Sequence, residues 1–114
     1  MSSILEDVKH VLGLDPSDTV FDVDVKMHVN SVFSTLCQIG VGPPEGFEIV
    51  SGSENWEQFV VGPPLNAVKS YIYLRVRLLF DPPTTGFTLA SFERQIQELE
   101  WRLNVEVDDQ AGNA

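Results

Sequence analysis

The sequence predicts an all-α fold: a small helical bundle of about four principal helices, with a Pro/Gly-rich insert between helices two and three. Two observations carry that expectation. Three capping signals, Ser3 with Glu6, Thr19 with Asp22 and Ser51 with Glu54, each stand ahead of a candidate helix. Three longer runs place their apolar residues on one arc at the helical period. A chain of 114 residues is one domain of ordinary composition.

Helix one is expected from about Ile4 to Leu12, where Leu5, Val8 and Leu12 share a face and Gly13 ends the run. Asp15-Pro16 then marks a turn. Helix two is expected from about Val20 to Ile39. Phe21, Val25, Val29, Val32, Phe33, Leu36 and Ile39 share one arc, Asp18, Asp22 and Asp24 suit the positive end of the dipole, and Gly40 closes it.

Residues 41–53 cannot be helical, since two prolines and three glycines interrupt them. Phe47, Ile49 and Val50 suit a short extended piece, and Ser51 with Glu54 caps a short helix from Glu54 to Phe59. A small β-hairpin is the alternative for this insert. Trp56 and Phe59 are expected to pin it to the domain, and Gly62-Pro63-Pro64 to stop it.

Helix three is expected from about Leu65 to Phe80, closed by Asp81-Pro82-Pro83. Helix four follows from about Leu89 to Asn104 with Thr88 as N-cap. Its apolar residues Leu89, Phe92, Ile96, Leu99 and Leu103 are spaced as a heptad seam. The two should form an antiparallel hairpin, with Ile72, Val76 and Leu79 against Leu89, Phe92 and Ile96. Residues 1–104 then make the helical domain and residues 105–114 a flexible acidic C-terminal tail.

Helix three is unusually apolar, with Arg75 near the middle of an apolar arc of about 200°. Such a helix is central to its own domain or covered by a partner. Arg75 either finds an acidic or carbonyl partner, in its own or a neighbouring subunit, or lays its stem on apolar surface and reaches water. Arg77 interrupts the narrow polar arc of the same helix. On helix four, Trp101 points away from the seam beside Arg94, and Trp with Arg is the composition of interface anchors. The alternative is that Trp101 lies against the 41–64 insert of its own chain. Arg75, Arg77, Arg94 and Trp101 are therefore the candidate interface residues.

No chemistry is readable elsewhere. Cys37 is the single cysteine and falls within a helix pattern, so it reads as a packed small residue. His10 and His28 lie on different helices without metal-ligand spacing, and the glycines of 40–46 lack a phosphate-loop context. The acids from Asp15 to Asp24 do not follow the calcium-loop pattern. No catalytic residue, metal site or cofactor is expected, and the chain reads as not an enzyme. It also reads as soluble and intracellular in origin, with neither a signal peptide nor a membrane span.

Charge is uneven along the chain. Residues 1–60 hold ten acids against Lys9 and Lys26, a net −8, while residues 61–104 carry +1 and the last ten residues −3. Such a chain does not grip phosphate backbones, although DNA could pass near it without sticking.

ILEDVKHVLGLD from Ile4, the Asp-rich start of helix two, AVKSYIYLRVRLLFDPP from Ala67 and QIQELEWRLN from Gln95 together resemble the head–tail connector (adaptor) proteins of tailed bacteriophages. The likeness covers about residues 3 to 105, and the last two segments are its specific part. It implies a mostly helical structural protein of the virion neck, made in the host cytoplasm. Copies would form a ring, typically of twelve, beneath the portal protein. The ring would extend the DNA channel, let genomic DNA through without specific binding, and dock a tail-side stopper or tail completion protein. The family has no catalytic residues to carry over. The competing expectation is a small acidic phage regulator that mimics nucleic acid and binds a host protein, which would need its acids spread along one solvent face.

Overall fold

Among the described residues the structure is helical, with five helices. They are α1 (Ile4–Val11), α2 (Asp22–Ile39), the single turn α3 (Trp56–Phe59), α4 (Leu65–Phe80) and α5 (Gly86–Gly112). The computed structural model describes residues 3–60 and 64–112, with side chains through Val107. Gly62 and Pro63, read as the stop of the insert, lie outside the described residues. No strand occurs among the described residues, so the β-hairpin alternative for the insert does not hold.

α4 is the axis of the bundle. Val68, Tyr71, Ile72 and Val76 are fully buried, which answers its excess of apolar residues: the helix is central to its own domain. α2 lies antiparallel to it, bringing Phe21 at the head of α2 edge-on to Phe80 at the foot of α4, ring centroids 5.5 Å apart. His28 meets the same ring at 6.4 Å, so its surroundings are those of a packed side chain. From α2, Val25, Val29, Val32, Phe33 and Leu36 enter the core. α5 returns antiparallel along α4 after a five-residue connection, residues 81–85.

The hairpin of α4 and α5 is tight only over part of its length. Ile72, Val76 and Ile96 are buried as expected, but Leu79 is 47% exposed and Leu89 and Phe92 are only partly covered. The layer predicted nearest the elbow is thus not core.

Several boundaries differ from the sequence expectation, each for a local reason. α2 starts at Asp22 with Phe21 in the capping position, and Thr19 makes no side-chain cap. Asp18 instead turns its carboxylate onto the Val20 N–H at 3.0 Å, holding residues 18–20 in a turn. α5 starts at Gly86, because Thr85 and not Thr88 takes the capping place: Thr85 Oγ1 accepts the Thr88 N–H. α5 also runs past Asn104 to Gly112. Val107 packs partly buried against the core, where a Cβ on Gly40 would come within 3.1 Å of it. That tertiary contact extends a helix whose sequence shows no periodicity after Asn104.

The insert is ordered by borrowed polar groups. Asn30 of α2 offers both ends of its amide to Ile49, accepting from its N–H at 2.7 Å and donating to its C=O at 3.0 Å, as a neighbouring strand would. Glu54 does not cap a helix. Its carboxylate gathers the N–H groups of Val50, Ser51 and Gly52, and the short helix is capped by an Asn55–Gln58 box. Phe33, Phe47 and Phe59 pack edge-on or tilted into one cluster with centroids 4.5 to 5.3 Å apart. Gly42, at φ +92°, permits it, because a Cβ there would sit 2.5 Å from the Phe59 ring. Trp56 is buried as expected, its indole N–H donating to Asp7 Oδ2 at 2.7 Å and its ring lying 5.3 Å below Lys69 Nζ.

Candidate assembly interface

The four candidate residues divide into two pairs. Arg75 and Arg77 on α4 are engaged within the chain. Arg75 donates from Nη1 to the Tyr71 hydroxyl at 3.1 Å and lies 5.7 Å from that ring's centre. Tyr71 in turn donates to Glu100 Oε2 on α5 at 3.2 Å. The expected acidic partner therefore exists but is reached through a phenol. Burial pushes the Tyr71 hydroxyl above its ordinary pKa, Arg75 pulling the other way and Glu100 adding to the rise. Arg77 closes the end of α4, donating from Nε to the Asp81 carbonyl at 2.7 Å. Its carboxylate contact to Asp81, at 3.9 Å, is exposed and weak.

Arg94 and Trp101 face solvent on α5. Trp101 is 66% exposed, and Arg94 is exposed without a hydrogen bond or ion pair among the described residues. Beside Trp101 runs a shallow groove shared with Pro64, Ala67, Leu103 and Val105. Trp101 lines this groove while most of its surface stays in solvent. Arg102 is tied to Glu98 at 2.7 Å one turn apart, which supports the helix.

Phe87 belongs with this pair and was missed from sequence. Phe87, Arg94 and Trp101 recur every seven residues, so they fall on one stripe, drifting only about 20° per step. The stripe faces away from the seam of Ile96, Leu99 and Leu103 that meets the rest of the bundle. Phe87 is 86% exposed. Starting the helix at Leu89 put Phe87 in a loop and hid the spacing; the Thr85-x-x-Thr88 pattern is the signal that would have exposed it. A second exposed apolar set lies on α2 and its approach, at Val20, Val23 and Met27.

The described residues hold no cluster of three or more His, Cys, Asp or Glu placed to bind a metal ion. Among them, no helix is long and apolar enough to cross a membrane. The site consists of exposed aromatic and cationic side chains on a rigid helix, a surface suited to contact.

A family model described as phage connector protein matches residues 4–110. The chain belongs to the phage connector protein family. No curated protein and no solved structure matches it. Membership accords with the resemblance carried by YIYLRVRLLFDPP and ELEWRLN, and it makes this connector a structural component of phage assembly.

Proposed function

We propose that this connector is a head–tail adaptor of the virion neck. Copies of it form a ring, of twelve on the resemblance, beneath the portal protein; the ring extends the DNA channel and docks a tail-side stopper or tail completion protein. The observation that carries this reading is Trp101, two-thirds exposed on a long helix with Arg94 on the same stripe. Aromatic and arginine anchors of this kind dominate the energy of protein interfaces.

The division 1–104 and 105–114 is recast on this reading: the last turns of α5 extend the contact helix, and the acidic end lies at its tip. The regulator alternative needs its acids spread along one solvent face, and four of them are instead engaged within the chain. Asp22 is beside Lys9, Glu54 holds three backbone amides, and Asp15 and Asp18 close turns.

Trp101→Ala tests the proposal. Melting of the isolated subunit should be unchanged, while incorporation into rings or particles should fall, since losing an interface anchor typically costs about 2 kcal/mol or more. Equal loss in both would make Trp101 a core residue of its own chain and remove the support for an interface here.

A further inference from the structure

A closed ring of more than two copies has a geometric requirement that the family match does not resolve. Its contacts are heterologous: each subunit must present two different faces that fit one another, whereas one self-complementary face gives only a dimer. Among the described residues, two apolar faces stand exposed. One is the α5 stripe with Phe87, Arg94, Trp101 and Val105. The other is the outer side of α2 and the turn before it, with Val20, Val23, Asp24 and Met27.

Their chemistry is complementary. Val23 and Met27, 76% and 59% exposed, lie four residues apart on one side of α2, and Val20, 77% exposed, stands in the turn before it. Asp24 sits among them, exposed and without an ion pair among the described residues. The α5 stripe centres on Arg94, equally without one. Aliphatic and thioether surface with a free carboxylate faces aromatic surface with a free guanidinium, and sulfur–aromatic contact suits Met27 and Trp101.

We infer that the α5 stripe of one copy docks on the outer face of α2 of the next, with Trp101 and Phe87 as anchors on one side and Val20, Val23 and Met27 as the receiving surface. This rests on the ring reading above and assigns the two faces that would build it.

Two blocked variants of the full chain decide the matter. Met27→Glu should disable the α2 face and Trp101→Ala the α5 face, each weakening self-association by about thirtyfold or more. All these side chains are exposed, so each variant should melt with the wild type; Val23→Glu serves if Met27→Glu does not fold. Sedimentation at millimolar concentration should give assemblies larger than dimers for the wild type and monomers for either variant. An equimolar mixture of the variants should stop at a heterodimer, because each retains the face the other lacks. Asp24→Arg combined with Arg94→Asp should recover what each loses alone.

A mixture that stays monomeric overturns the pairing of these faces. So does a Met27→Glu chain that associates like the wild type, which would mean that the outer face of α2 does not receive α5. If the wild type forms rings that neither variant disturbs, the face assignment fails and the ring reading stands. If the wild type itself reaches only monomers or dimers, the ring reading fails with it.

Discussion

Lys9 is the side chain on which the N-terminal third turns. It is 3% exposed, and its ammonium donates to the Asp18 carbonyl at 2.6 Å and the Pro16 carbonyl at 3.2 Å. Asp22 Oδ1 lies 2.8 Å away, paired by charge although off the line of a hydrogen bond. One lysine thus joins α1 to the start of α2 through the turn between them. Replacing it with Ala leaves two carbonyls and a carboxylate poorly solvated, and we expect a loss of about 3 kcal/mol in denaturant unfolding. A loss below about 1 kcal/mol would show that water replaces the ammonium freely. Glu54 gives a pH signature instead. Burial pushes its pKa up, but the backbone N–H groups of Val50, Glu54, Ser51 and Gly52 outweigh that and hold it at about 2. Because the folded value is depressed, its contribution is present above the unfolded value of 4.5 and fades as pH falls through about 2. Chemical-shift titration of Glu54 should place its midpoint well below 4.5, and Glu54→Gln should flatten that part of the stability profile. Sequence hid both roles: Lys9 reads as one more charge on a first helix, and Glu54 reads equally well as half of a capping box with Ser51.

At the scale of elements, the periodic runs were legible because core burial and period coincide. The arc from Val25 to Leu36 is buried as a unit, and the Arg-interrupted face of α4 is central. What was not legible depended on groups far away in sequence. The end of α5 is the clearest case. Residues 105–112 show no apolar periodicity, yet Val107 finds core beside Gly40. A chain ending at Asn104 should therefore lose about 1 kcal/mol, the share expected for a partly buried valine, and melt lower by a few degrees. An unchanged melting temperature would restore the tail to the loose role expected from sequence. The candidate site was half legible. Trp101 and Arg94 stand out by residue type, while Phe87 and the α2 face required the true start of α5 and the exposure of Val20, Val23 and Met27.

Over the whole molecule, a net charge of −10 governs how the chain meets DNA. Affinity for duplex comes from cations that release counterions, and five of the seven Lys and Arg are held in place by their own chain: Lys9, Lys69, Arg75, Arg77 and Arg102. A gel shift at low salt should show no tight complex; salt-sensitive binding would contradict the reading that DNA passes without adhering. If the −8 of residues 1–60 borders a channel, repulsion is screened beyond about 8–10 Å at physiological salt. The central claim is that this connector works as a ring seated on a portal, and electron microscopy of the chain combined with its portal protein tests it most directly. The account predicts a closed ring coaxial with the portal, with Trp101 buried between neighbouring copies. Isolated copies bound to the portal with Trp101 in solvent, or no association at all, would contradict it.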